Sequence, residues 1–174
     1  MRVLVVYGSR LGSTREIAER IAATIRSEGL TATAAPAGDE ADVAGWDAVV
    51  VGSGVYGGEW AREARDFVQR NADALRVRPV WLFSSGPVGN LAVSHEPIDP
   101  TGVAGFQRAV RARGHRVFAG ALDRANPAIG DLPFVERLVT RTLIPAGDYR
   151  DWAAIEDWAR GIARELAASP VGRR

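Results

Sequence analysis

The stretch VLVVYGSRLGSTREIAERIAATI, Val3 to Ile25, passes from an apolar run through a Gly/Ser-rich hexapeptide straight into a helical pattern. An apolar run that does not alternate reads as a strand covered on both faces, and a helix directly after it reads as the crossover to a parallel neighbour. The pattern recurs along the chain. Strands are predicted at Arg2–Tyr7, Thr31–Ala35, Ala48–Gly52, Val80–Ser84 and His115–Leu122, with Thr31–Ala35 the weakest. Helices are predicted at Thr14–Glu28, Glu59–Ala72, Gly102–Arg113 and Asp151–Ala168, and a short turn or helix within Asp39–Gly45 completes the alternation. Their apolar stripes are Ile17, Ile21, Ala22 and Ile25 in the first, Ala64, Phe67 and Val68 in the second, and Trp152, Ile155, Trp158, Ile162 and Leu166 in the last.

Strict alternation implies right-handed crossovers with helices on both faces, an α/β fold in three layers, α/β/α. Five parallel strands suggest the order 2-1-3-4-5. Residues 1–174 are expected to form one domain, at a length that buries a real core. The segment Asp123–Gly147 exceeds an ordinary connection and is expected to be an insertion with its own helix around Leu132–Leu143. Pro170–Arg174 is expected to fray.

Composition removes several chemistries. There is no Cys, which excludes disulfides, thiolate nucleophiles, iron–sulfur clusters and thiolate zinc sites. There is no Lys either, so Schiff-base chemistry and a Lys-bearing Walker loop are excluded. The 22 basic residues are all Arg and meet 21 acidic ones, which leaves no electrostatic case for a nucleic-acid partner. The chain starts directly in a strand pattern and has no apolar run of membrane-spanning length, so a cytoplasmic protein is expected.

In an open parallel sheet, ligands bind beyond the strand C-termini where the strand order reverses, here between strands 1 and 3. The first loop there, Ser9, Arg10, Leu11, Gly12, Ser13 and Thr14, runs into a helix N-terminus, where unpaired amides and the helix dipole favour an anion such as a phosphate. The second loop, Ser53–Trp60, contains G-x-G-x-x-G at Gly52, Gly54 and Gly57. It follows the third strand, and Val77, Arg78 and Pro79 stand where a dinucleotide site needs an acid. Ser53, Gly54, Val55, Tyr56 and Gly57 are therefore read as a wall for a flat heterocycle, with Val55, Tyr56 or Trp60 covering a face; ordinary edge packing is the plainer reading of both aromatics. A third loop, Ser84–Asn90, brings Ser85, Gly86, Pro87 and Gly89 to the same rim.

These loops resemble the FMN site of the flavodoxin family. The family's phosphate loop reads Thr/Ser-x-Thr-Gly-x-Thr; Ser9, Gly12 and Thr14 match it, and Leu11 replaces the middle hydroxyl. AVVVGSGVYGGEW and VWLFSSGPVG resemble the loops on either side of the flavin ring. The first loop, the insertion and the ending GDYRDWAAIEDWARGIARELA resemble the menaquinone-dependent protoporphyrinogen dehydrogenase branch. The resemblance implies a non-covalent FMN, a redox partner protein or a quinone, and in that branch a small tetrapyrrole substrate. No side-chain nucleophile is required.

Other readings fit less well. A receiver domain needs an acidic cluster and a Lys that are absent. A serine hydrolase needs G-x-S-x-G, which is absent too, and His95 and His115 are expected to be solvated loop residues. A flavin-less interaction module remains as a third alternative. In the insertion, Phe134, Val135, Leu138, Val139 and Leu143 share one helical face, with Arg137 and Arg141 off it. That face is expected to pack against the domain; a surface for a quinone or, transiently, a membrane is the functional alternative.

Overall fold

The computed structural model describes residues 1–38, 42–86 and 99–168. Strands β1 (Arg2–Gly8), β2 (Thr31–Pro36), β3 (Ala48–Tyr56), β5 (Val80–Ser85) and β6 (Gly114–Phe118) form a parallel sheet in the order β2-β1-β3-β5-β6. A short strand β4 (Glu59–Trp60) folds back antiparallel onto β3. With that return strand set aside, the sheet has the expected five-strand order. Val3–Val6 and Val49–Val51 are buried because helices cover both faces.

Helix α1 (Ser13–Ser27) packs on one face together with the last helix, α6 (Trp152–Ala168); Ile17, Ile21 and Ile25 meet Ile155, Ile162 and Leu166 in one core. Helices α2 (Arg62–Arg70), α3 (Ala72–Arg76) and α4 (Val103–Val110) cover the other face, where Phe67, Val68, Leu75 and Val110 pack on Leu4, Val6 and Leu82.

Several boundaries move. The strand expected at Ala48–Gly52 runs on to Tyr56, because Gly52, Ser53 and Gly54 pair with Phe83, Ser84 and Ser85. Ser53–Trp60 is thus a strand end and hairpin, not a loop. Its turn residues Gly57 and Gly58 both have positive φ, +60° and +84°, the two-residue turn whose twist suits a hairpin. The hairpin takes up Glu59 and Trp60, so the helix expected from Glu59 starts at Arg62. That helix breaks at Asn71, whose Nδ2 donates to the Phe67 carbonyl at 3.0 Å. The strand expected at His115–Leu122 divides into β6 and β7 (Ala121–Leu122). Between β2 and β3, the described residues 42–47 form a turn and no helix.

The insertion starts with a 3₁₀ turn (Pro127–Asp131) and continues as α5 (Phe134–Thr142). Its two ends meet: β7 pairs antiparallel with β8 (Gly147–Asp148), Ala121 opposite Asp148 and Leu122 opposite Gly147. Arg150, just beyond, reaches Glu16 of α1 at 2.7 Å and Asp148 at 2.6 Å. The expectation that the α5 stripe packs inward does not hold. Phe134 is 71 % and Leu138 52 % exposed, and Val135 and Leu143 are exposed as well. Among the described side chains of that helix, Thr140 is the buried one. Val139 lies outside the described side chains. The tail Pro170–Arg174 lies outside the described residues.

Candidate functional site

A cavity of about 330 Å³ opens at the C-terminal ends of β1, β3 and β5, in the size range of ligand sites. Four pieces of chain enclose it. The turn before α1 gives Arg10, Leu11, Ser13 and Thr14; the hairpin gives Gly54, Val55, Tyr56, Gly57 and Trp60; β5 and its end give Ser85 and Gly86. Gly120, Ala121 and Leu122, with Leu132, Thr140 and Ile144 of the insertion, close the far side.

The turn before α1 is built for an anion. Gly12 caps the helix with φ +89°, and no side chain caps it in competition. The first intrahelical bond runs from the Glu16 N–H to the Gly12 carbonyl at 3.1 Å. The amides of Ser13, Thr14 and Arg15 therefore precede the helical ladder and present the positive end of the dipole. Thr14 is 3 % exposed and borders the cavity, and its hydroxyl engages no other described residue. Ser13 Oγ accepts the Ala121 N–H at 3.0 Å, and Ser9 Oγ accepts the Gly12 N–H at 3.2 Å. Each of those hydroxyls keeps its own proton to donate.

The predicted residues divide into those that line the cavity and those that shape it. Ser9 and Gly12 fold the turn from behind. Ser53 is fully buried; its hydroxyl donates to the Gly54 carbonyl at 2.8 Å and accepts the Ala61 N–H at 2.9 Å, which pins the hairpin to α2. Arg10 and Tyr56 form one unit: the Arg10 N–H donates to the Tyr56 hydroxyl at 2.9 Å, and the guanidinium lies 4.6 Å above the ring. Burial is the main reason the Tyr56 hydroxyl is pushed above its ordinary pKa, so it stays protonated near neutrality. Side chains would not fit where the strand ends converge. A Cβ at Gly54 would lie 2.8 Å from the Tyr56 hydroxyl, and one at Gly86 3.0 Å from Val55 Cβ. Pro87, Gly89 and His95 lie outside the described residues.

Two groups escaped sequence reasoning. Asn126 Nδ2 donates to the Leu11 carbonyl at 2.8 Å while its Oδ1 accepts the Ala128 N–H, so the insertion is tied to the anion-binding turn. The Asn-Pro pair at 126–127 is a helix-start signal that points to the cap. The second group is a buried polar chain. Trp60 Nε1 donates to Ser84 Oγ at 2.7 Å, Ser84 Oγ is 2.8 Å from His115 Nε2, and His115 Nδ1 is 3.1 Å from Asp99 Oδ1. His115 was expected in solvent, but its side chain is only 4 % exposed, and burial holds its pKa below the ordinary histidine value. The spacing is that of a Ser-His-acid triad. Ser84 is fully buried, however, and its oxygen already accepts the indole proton, so it is no nucleophile.

Among the described residues, no cluster of three or more His, Asp or Glu could hold a metal, and no helix is long and apolar enough to cross a membrane.

Comparison with known proteins agrees with this geometry. A Flavodoxin domain model matches residues 4–142. The chain is 27% identical over 173 positions to a protoporphyrinogen IX dehydrogenase [quinone] from Escherichia coli K12, covering 94% of this chain and 95% of that protein. Among solved structures, a point-variant flavodoxin from Pseudomonas aeruginosa superposes with a TM-score of 0.63 at 15% identity, over 97% of this chain and all of that one. The rubredoxin oxygen:oxidoreductase of Desulfovibrio gigas matches with a TM-score of 0.62 at 16% identity, over 98% of this chain but 37% of that one. These structural likenesses establish the fold. With most of its length matched by the family model and its site at the expected reversal of the sheet, the chain belongs to the Flavodoxin domain family.

Proposed function

We propose that this chain, 1–174, is a single flavin domain that binds FMN non-covalently and transfers electrons through it. Family membership supports a flavin redox protein. The observation that carries FMN is the Thr14 hydroxyl, which has no partner among the described residues, at a helix N-terminus without a side-chain cap beside the cavity. In this reading the Ser13, Thr14 and Arg15 amides and the Thr14 hydroxyl hold the phosphate, and Ser9 and Gly12 shape the turn. Val55, Tyr56 and Trp60 on one side and Gly86 and Ala121 on the other enclose the ring. Pro87 and Gly89 stay in the proposed binding set on their sequence alone. A bound flavin would supply one- and two-electron redox chemistry, which needs no side-chain nucleophile. The chain's own groups orient it, exclude water with Leu122, Leu132 and Ile144, and offer backbone hydrogen bonds near its edge. The test is a fluorescence titration of FMN against wild type, Thr14→Ala and Gly12→Val. Unchanged affinity in both variants would overturn the assignment.

A second reading is a dehydrogenase that passes electrons from a tetrapyrrole to a quinone. Two observations favour it: the full-length relative bears that name, and the insertion both borders the cavity and turns apolar side chains outward. Phe134, Val135, Leu138 and Leu143, with Arg137 and Arg141 nearby, suit a hydrophobic acceptor or brief contact with an anionic membrane. The protein otherwise fits a cytoplasmic location with no nucleic-acid partner. Anaerobic turnover with protoporphyrinogen and a menaquinone analogue distinguishes a dehydrogenase from a simple electron carrier.

A further inference from the structure

We infer that Asp99, His115 and Ser84 are positioning residues: they form a buried chain that fixes the Trp60 indole in the cavity wall, and with it the hairpin that borders the ligand. The last step rests on the flavin reading above; the chain itself does not.

The direction of every bond in the chain is forced. An indole nitrogen only donates, so Ser84 Oγ must accept from Trp60. At the other end a carboxylate only accepts, so the His115 proton sits on Nδ1, facing Asp99. Burial favours the neutral ring, whose bare Nε2 accepts the Ser84 hydroxyl proton. Trp60 is 2 % exposed and Ser84 is fully buried, so water cannot replace a lost partner. The rest of the indole leans on Phe106, with ring centroids 5.5 Å apart.

Trp60 sits where displacement matters. It is the second residue of β4 and pairs with Val55, across the turn formed by Gly57 and Gly58. Trp60, Val55 and Gly57 all line the cavity. His115 lies outside the lining and acts on it only through Ser84 and Trp60. The indole cannot release its proton in water, so the chain holds a ring in place and does not deliver protons.

The experiment reads the indole directly. In ligand-free protein, ¹H–¹⁵N spectra resolve the Trp Nε1–H signals, and Trp60→Phe identifies the relevant one. Ser84→Ala and His115→Phe should shift that signal and speed its solvent exchange about tenfold, as expected for one lost buried hydrogen bond. His115→Gln, whose amide is able to accept from Ser84 and donate to Asp99, should restore it. The same set is then titrated with FMN. His115→Phe should bind about tenfold more weakly, with a shifted midpoint potential, and His115→Gln should recover both. A Trp60 signal that is the same in wild type and His115→Phe overturns the proposal. If His115→Phe does not fold, Asp99→Ala, a change at an exposed site, takes its place; it should move the signal in the same direction by less, and no movement overturns the proposal. If wild type refuses FMN while the indole still follows the chain, the chain stands and the flavin reading falls.

Discussion

Two adjoining segments border the cavity, the turn Ser9–Thr14 and the insertion between β7 and β8. The turn is held by what surrounds it: β1 leads in, α1 leads out, and Ile17, Ile21 and Ile25 are buried against the sheet. The insertion is held at its ends and at a few inner points. Ile129 and Thr140 are buried and Asn126 grips Leu11, yet Phe134, Val135, Leu138 and Leu143 face outward. Both helices carry an apolar stripe of helical period. A stripe shows that a helix has an apolar side; a second surface within reach decides whether that side is covered. The sheet is that surface for α1, and nothing in the described residues plays the part for most of α5.

The contrast is broken most completely by removing the insertion. Excising residues 123–146 and joining Leu122 to Gly147 through an Asn-Gly turn should leave the parallel sheet in place, weaken FMN binding through the lost Asn126–Leu11 bond and the lost Leu132, Thr140 and Ile144 wall, and abolish turnover with a quinone. Circular dichroism, flavin titration and anaerobic assay would show it; loss of the fold would mean the two segments are not separable.

Next in size is Gly52→Ala. A Cβ there would lie 1.9 Å from the Phe83 ring, in the middle of the sheet that supports the turn. The expected cost is about 3 kcal/mol by urea denaturation, at the upper end for overpacking. Gly12→Val follows, at about 2 kcal/mol, from left-handed strain alone, because the space around that Cβ is open. Thr14→Ala should leave stability intact and weaken FMN by about 1.5 kcal/mol, the loss of one hydrogen bond to a charged group.

A smaller effect concerns pH. His115 is held below its ordinary pKa of 6.5 chiefly by burial, against an opposing pull from Asp99. As pH falls below 6.5, the unfolded chain takes up a proton that the folded one resists, so stability present above that pH is progressively lost. His115→Gln should flatten this slope between pH 7.5 and 5.5. The smallest effect is expected on the insertion surface: Phe134→Ser with Leu138→Ser should change stability by no more than about 0.5 kcal/mol. A large loss would mean the stripe is covered after all.

The layered order was legible because the inner strands β1, β3 and β5 are apolar runs and the main helices have their stripes; the outer strands β2 (TATAAP) and β6 (GHRVF) were legible mainly from their place in the alternation. The reach of β3 was not. Gly52, Ser53 and Gly54 look like loop residues locally, but β1 and β5 on either side hold them in the ladder, and Gly52 has no Cβ because Phe83 needs the space. The anion-binding turn was legible as a local motif, since residues 9–14 are contiguous. The polar chain was not, because Trp60, Ser84, Asp99 and His115 come together only through the tertiary fold. Tyr56 and Trp60, read as covering a ligand face with edge packing as the alternative, both line the cavity; what the sequence did not show is that Tyr56 accepts the Arg10 N–H and Trp60 anchors that chain.

The clasp of β7 on β8 bears on how such a chain changes over time. Because Leu122 and Gly147 are already neighbours, whatever lies between them is a closed loop whose ends need no further searching. Doubling such a loop adds only about 0.6 kcal/mol of closure entropy. By that entropy alone, a longer or shorter segment between the clasp residues costs the sheet beneath little, while replacing Asn126, Leu132, Thr140 and Ile144 would change what approaches the cavity.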